Sequence, residues 1–374
     1  MKRAISFTES GNLLTCQAQW DFNYGGYLAG DCLKPRAVPT RLQEGSAWGA
    51  GVAAFHAATE DKVDAGIMAI AKSLDDEAEK LKRKGVYDAV AHSQIAHKLR
   101  SLLEQYAEEE ETRDVPLEGL GRLEEELLVP LPSRSGKGDS NRYFLQVFFD
   151  GVLEDADGRI WLVEFKLREQ LSALELITNG RQIRYYAWAY EREYGRPVAG
   201  VIVDERLNAE PKPPKIVNSK KGVGVEVEVD VLDKETKEPT GDKKMVWRAP
   251  STDKAQLTTP ELYKAACEEY GVEVDEAMVA ALGDRQWSQR QRIFLSKREV
   301  EESGTELVSL GRQVAGVDSG EVYPVRNVKP QNCKGCRFRE ICNDPHDTEL
   351  VDSLFDRRPP KRDRDPENKE AVPA

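Results

Sequence analysis

FFDGVLEDADGRIWLVEFKLRE, residues 148–169, is the stretch from which the rest of the chain is read. Phe148, Val152, Ile160, Leu162 and Phe165 are apolar residues of the kind that fill two strands, and the Asp157-Gly158 pair between them is a strong hairpin signal. Side chains alternate faces along a strand, so Glu164 and Lys166 point the same way, with Asp150 arriving from the partner strand. Two carboxylates and a lysine then converge. That set can bind a hard divalent cation through oxygen, while the cation polarises a phosphate and activates water and the lysine stabilises charge or positions the nucleophile. The competing reading is an amphipathic hairpin with a salt-bridged outer face.

Three further stretches bear on that choice. In NGRQIRYYAWAYEREYGRP, Gln182 and Tyr186 are four residues apart on a helical pattern and share a face. With Arg181 and Arg184 beside them they suit contacts to phosphates and stacked bases, whereas Tyr185 and Trp188 read as core. In GSAWGAGVAAFHAA, small residues that allow close helix packing precede His56, one of only four histidines. Neutral imidazole is a ligand for Mn²⁺-like metals, although a histidine in an apolar helix is also a common core residue. In NCKGCRFREICNDP, Cys333, Cys336 and Cys342 follow a C-x2-C-x5-C spacing that makes poor core and good metal ligation. A fourth ligand must come from Cys16, Cys32 or Cys267. Zinc and an iron–sulfur cluster both fit such spacing, and disulfides are a third option without any sign of secretion.

In this order, His56, Asp150, Glu164-x-Lys166, Gln182-x3-Tyr186 and the late cysteines resemble the RecB-like branch of the PD-(D/E)XK nucleases. Within it the chain is similar to the iron–sulfur exonucleases: the CRISPR-associated exonuclease family, its phage relatives and AddB-type nuclease domains. The resemblance covers roughly residues 5–345. It implies an α/β, restriction-endonuclease-like mixed sheet flanked by helices, with an N-terminal helical region and a C-terminal iron–sulfur subdomain. It also implies Mg²⁺ or Mn²⁺ held by Asp150, Glu164, the Phe165 carbonyl and His56, with Lys166 acting on the attacking water. Gln182, Tyr186, Arg181 and Arg184 would handle the DNA strand. Cys16 would join Cys333, Cys336 and Cys342 around a 4Fe–4S cluster, with Cys32 as the substitute fourth ligand and zinc as the other occupant. Cys267 reads as a buried small hydrophobe. Phe148, Leu167 and Gln17-Ala18-Gln19 depart from the family pattern, which has glycine, Ser or Thr, and basic residues there.

The implied activity is a metal-dependent DNA exonuclease acting on single-stranded DNA or DNA ends in recombination, repair or replication. A non-catalytic DNA-end binding or adaptor subunit of a recombination or CRISPR-adaptation complex is the alternative, and the intact Asp150, Glu164 and Lys166 argue against it. A zinc-stabilised protein with an unrelated hairpin would leave the motif order unexplained.

Composition is compatible with this. The 374 residues are 40% hydrophobic and 32% charged, ordinary globular chemistry. The net charge of −12 excludes a bulk electrostatic nucleic-acid binder but leaves room for a local basic channel. No apolar run reaches a membrane span and no leader is visible, so the expectation is a cytoplasmic protein without a membrane partner. No G-x4-G-K-[ST] loop is present, and any helicase or recombination motor must be a separate partner.

The pattern divides the chain into a helical region at 1–115 carrying Cys16 and His56, and a nuclease core at 116–205. A β-ribbon insertion at 206–250 has Val223 to Val231 alternating with Gly and acidic residues, and 245–248 as its partner strand. Helices and the cysteine cluster occupy 251–345, and a Pro-rich, charged tail at 346–374 reads as unstructured. Helices are expected over 1–25, 47–83, 90–111, 172–193, 260–283 and 297–314, and strands at 123–133 and 197–205.

Overall fold

The structure, a computed structural model, describes residues 2–36, 40–133, 138–178, 180–232 and 239–361. The chain divides into two compact units, Met1–Arg206 with Arg290–Ala374, and Leu207–Gln289.

In the first unit the anticipated hairpin is present. Strand Gly151–Glu154 pairs antiparallel with Ile160–Arg168, placing Gly151 opposite Val163 and Val152 opposite Leu162. Gly158 turns the chain at φ 76°, a left-handed conformation that glycine adopts without steric cost. These strands belong to a four-stranded sheet that continues through Val198–Leu207 to Ser288–Phe294. Strand Ile160–Arg168 is buried on both faces. Ile160 and Leu162 join one core with the helices Arg181–Tyr194 and Lys297–Asp318, whereas Trp161, Val163 and Phe165 join a second core with three N-terminal helices. An outer face carrying only solvated salt bridges is therefore excluded.

Those three helices are Thr40–Ala57, Lys62–Arg83 and Ala89–Glu110. Each buries residues at three- and four-residue intervals: Trp48, Val52 and Phe55; Ile70, Leu74, Ala78 and Leu81; Ile95, Leu99, Leu102 and Tyr106. The first two cross at glycine. A Cβ on Gly66 would lie 2.9 Å from the Gly51 carbonyl oxygen and 2.5 Å from the Leu103 side chain.

A second sheet of three strands orders Arg3–Ser6, Asp139–Phe149 and Glu125–Pro132. The first of these was expected to be helix. Phe7–Thr15, Gln17–Trp20 and the π-helical Asp21–Gly25 are helical there, but Arg3–Ser6 lies parallel to a strand some 140 residues away, with Ile5 opposite Leu145. The helix expected over 172–193 is divided into Leu174–Thr178 and Arg181–Tyr194, with Gly180 in an extended conformation at the second helix's N-terminus. Residues 134–137, between Glu125–Pro132 and Asp139–Phe149, lie outside the described residues.

The tail also differs from expectation. Thr348–Leu354 is a helix, and Phe355–Arg358 pairs antiparallel with Cys32–Pro35. Val351 and Phe355 are buried with Phe22, Leu33, Phe338 and Ile341 in a small core beside Cys16 and Cys336. Their apolar spacing holds this segment despite its polar surroundings. The rest of the expected tail, 362–374, lies outside the described residues.

In the second unit, Ile216–Asn218, Val225–Leu232 and Pro239–Pro250 form an antiparallel sheet in which Val227 faces Val246. Residues 233–238 of the anticipated ribbon turn lie outside the described residues. The unit extends past residue 250 through helices Pro260–Glu269 and Glu276–Gly283, the first capped by Thr259 with Pro260 at its start. Cys267 is fully buried there with Tyr263, Met278 and Leu282.

The helix crossing gives a test with opposed signs. Helix propensity alone predicts that Gly66→Ala stabilises by about 1 kcal/mol, whereas the backbone clash at Gly51 predicts a loss of roughly 1–3 kcal/mol. Urea unfolding should show the loss.

Candidate active site

Asp150 lies one residue before the Gly151–Val163 pair, so it stands opposite Glu164 where the two strands begin to part. One Asp150 carboxylate oxygen accepts the Phe165 amide at 2.7 Å. Glu164 is 5% exposed and accepts from both Lys166 Nζ and, at 2.7 Å, Gln182 Nε2. The same Gln182 amide nitrogen lies 3.1 Å from the Tyr186 hydroxyl. A four-residue helical interval thus aims Gln182 at the carboxylate and lays Tyr186 against it.

This arrangement follows from strand periodicity. Glu164 and Lys166 continue the face of Ile160 and Leu162, which lies under helix Arg181–Tyr194. Burial pushes the Asp150 carboxyl up to about 8, and the neighbouring Glu164 charge pushes the same way, opposed by Lys166 and the Phe165 amide. Burial and then the Glu164 charge also raise the Tyr186 hydroxyl, which stays protonated. Next to Asp150, the Glu124 amide meets the Asp150 carbonyl at 3.4 Å, and Arg122 and Glu124 sit at φ 46° and 52°. Two non-glycine residues in the left-handed region thus lie in the segment that meets the Asp150 backbone.

His56 is not brought into this group. Its ring stacks on Phe165, with centroids 5.7 Å apart and an interplanar angle of 9°, and Phe165 is on the opposite face of the strand from Glu164. Its Nε2 meets the Tyr106 hydroxyl at 2.8 Å. Among the described residues, no three His, Cys, Asp or Glu side chains are positioned to hold a metal ion. The metal shell anticipated from His56, Asp150 and Glu164 is in this respect not assembled, because alternation sends Phe165 and its stacked imidazole to the other side.

Of the other anticipated residues, Tyr186 is buried and Tyr185 and Trp188 are core, so the strand contacts expected of Tyr186 are limited by the protein around it. Arg181 is exposed and Arg184 half-buried. Tyr106, Asp204 and Arg290 were not anticipated. Asp204 accepts from the Tyr106 hydroxyl at 3.1 Å, from Arg113 at 3.0 Å and from Arg290 at 2.6 Å. The available signal was Asp204-Glu205-Arg206, three consecutive charged residues ending an apolar strand; all are buried. Glu205 holds the chain after the hairpin by accepting from Arg168 and Ser172.

Cys16, Cys333, Cys336 and Cys342 line one cavity of about 550 Å³ with Phe22, Asn327 and Phe338. The Asn327 amide donates to Cys16 Sγ at 3.4 Å. Burial raises the Cys336 thiol, and Cys16, Cys342 and Cys333 add to that. Cys32 is fully buried in its strand opposite Arg358 and does not line the cavity.

No described helix is long and apolar enough to cross a membrane. No curated protein matches the chain. Among solved structures, the crystal structure of SSO0001 aligns with 73% of this chain and 79% of its own at 12% identity and a TM-score of 0.27, too distant to inform the fold. The family model described as the PD-(D/E)XK nuclease superfamily matches residues 4–343, spanning both carboxylates, Lys166 and all four cavity cysteines. The chain belongs to the PD-(D/E)XK nuclease superfamily.

Proposed function

We propose that the protein is a metal-dependent deoxyribonuclease that shortens single-stranded DNA or DNA ends as an exonuclease, in recombination, repair or replication. The observation that carries this is the buried Asp150–Glu164 pair, with Lys166 and Gln182 both on Glu164. Two hard oxygen donors repel one another in a site sheltered from water, and only one lysine offsets them. Such a donor set fits Mg²⁺ or Mn²⁺. Asp150 and Glu164, with the Phe165 carbonyl, would hold the cation. When bound, it supplies Lewis acidity toward the phosphate and acidifies water.

The protein's own groups do the rest. The Phe165 amide fixes one Asp150 oxygen, and Gln182 fixes Glu164, so neither carboxylate needs to reorganise during reaction. Lys166, 28% exposed, reaches from Glu164 toward solvent, where it can orient the attacking water and stabilise charge developing on the phosphate. Arg181, at the exposed start of the helix that carries Gln182, offers a cation for the DNA backbone. Arg184, half-buried one turn on, contributes positive charge from behind.

The adaptor alternative keeps the fold and loses the chemistry, which gives the buried carboxylate pair no role. A non-catalytic chain would gain stability from replacing it, since like charges buried together are costly.

The same reading gives the cysteine cavity a 4Fe–4S cluster. Four thiols lining one cavity of about 550 Å³ supply the number and kind of ligand that such a cluster takes. The Asn327 backbone amide donates to Cys16 sulfur, the kind of bond that tunes a cluster's thiolate ligands. Cys16 lies between the first two helices and the others near the C-terminus, so ligation would tie distant segments together and contribute folding free energy.

Two outcomes follow. Lys166→Ala should lower metal-dependent cleavage of end-labelled single-stranded DNA by roughly 10²–10⁴-fold, and Asp150→Asn by at least as much, with DNA binding by gel shift kept within a few-fold. Either variant cleaving at the wild-type rate contradicts the assignment. Protein purified without oxygen should contain stoichiometric iron and acid-labile sulfide. Cys336→Ser should lose both and melt at lower temperature; one equivalent of zinc, or no metal in a stable protein, would contradict the cluster.

A further inference from the structure

We propose that Arg168 binds the phosphate next to the scissile one on the DNA strand, and that Glu205 is the positioning residue that holds its guanidinium for that contact. This deepens the deoxyribonuclease reading above and rests on it.

Strand alternation puts Arg168 on the face of the paired carboxylates. Along Ile160–Arg168, the odd-numbered residues Trp161, Val163, Phe165 and Leu167 all pack with the N-terminal helices. Leu167 carries the alternation to the end of the strand, so Arg168 follows Glu164 and Lys166 on the other face. Its acidic neighbour Glu169 pairs instead with Arg41 of the helix Thr40–Ala57, at 3.1 Å. Glu205 arrives from the adjacent strand, Val198–Leu207. It continues the row of Val201 and Val203, which share a core with Ile160 and Leu162, and so lies on the same face as Arg168.

The bond between the two uses one edge of the arginine. Glu205 is fully buried. Its Oε1 accepts from Arg168 Nε at 3.0 Å and from the Ser172 hydroxyl at 2.7 Å, and its Oε2 accepts from the Ser172 amide at 2.8 Å. A carboxylate taken out of water needs a cation, and this one takes the guanidinium by its inner nitrogen. Nη1 and Nη2 have no hydrogen-bond partner among the described residues, and the side chain is 43% exposed. A planar fork fixed at Nε and open at both Nη groups is pre-organised for two oxygens of one phosphate. Two residues of strand put the Arg168 Cα about 6.6 Å beyond that of Lys166, the scale on which successive phosphates of one strand follow each other. Lys166 serves the reacting phosphate in the function proposed above, so Arg168 meets its neighbour.

Equilibrium binding of full-length wild type and Arg168→Gln to single-stranded oligonucleotides in chelator, over a salt series, reads the contact without cleavage. Loss of one phosphate contact should flatten the slope of log K against log salt concentration by about 0.7 and weaken binding roughly fivefold at 0.1 M salt, whatever the sequence. Oligonucleotides with a single uncharged methylphosphonate linkage, moved along the strand, then locate it. One position should weaken the wild type by a similar factor and leave Arg168→Gln unaffected. Glu205→Gln should weaken the wild type and have little further effect on Arg168→Gln; an equal loss in both folded backgrounds overturns the positioning role. An arginine that only neutralises Glu205 would change the melting temperature and neither the slope nor the linkage response. A folded Arg168→Gln with the wild-type slope and linkage response therefore overturns the proposal, and leaves the nuclease reading intact if the wild type cleaves. A wild type that shows the Arg168-dependent slope but cleaves no DNA with Mg²⁺ or Mn²⁺ counts against the nuclease reading and leaves the phosphate contact standing.

Discussion

Burial of both faces of a single strand is the constraint on which the site depends. Along Ile160–Arg168, even-numbered residues face the core beneath helix Arg181–Tyr194 and odd-numbered residues face the three N-terminal helices. A one-residue slip would exchange those faces and place Glu164 among Trp48, Val52 and Leu99. The register is therefore strongly specified by the apolar residues. Glu164 and Lys166 inherit their position from Ile160 and Leu162 rather than from any attraction of their own.

Against that apolar frame stand two clusters of buried charge with different purposes. Around Asp204, Arg113 and Arg290 surround the carboxylate, so its charge is compensated within the fold. At Asp150 and Glu164, two carboxylates share one lysine, and burial together with their mutual repulsion raises Asp150 to about 8. A protein built for stability alone would not leave such a pair undercompensated. The contrast between the two clusters is what the proposed binding of a cation at Asp150 and Glu164 rests on.

Local chemistry was legible in the sequence and distant pairing was not. The Asp157-Gly158 turn, the alternation through Glu164 and Lys166, the Gln182–Tyr186 interval and the Cys333–Cys342 spacing are all encoded within about twenty residues. The small residues before His56 did mark a helix crossing, but its partner Gly66 could not be named from them. The parallel strand Arg3–Ser6 is invisible because its four residues show no alternation long enough to read, and its partner is some 140 residues away. His56 was assigned to the metal shell by its place in the family pattern, while its apolar helix by itself also suited a core residue. Its bond to Tyr106, fifty residues on, and its place opposite Glu164 required the packed structure. The helix and strand of 348–358 were obscured by a surrounding composition of proline and charge that outweighed Val351 and Phe355.

The most direct test of the central claim is whether the unmodified protein, stripped of metal, cleaves end-labelled single-stranded DNA only when Mg²⁺ or Mn²⁺ is returned. The carboxylate pair predicts no shortening in chelator, shortening on addition of either cation, and reversal by further chelator. Cleavage at the same rate in chelator, or no cleavage with either cation by a folded protein that binds the DNA, would contradict it.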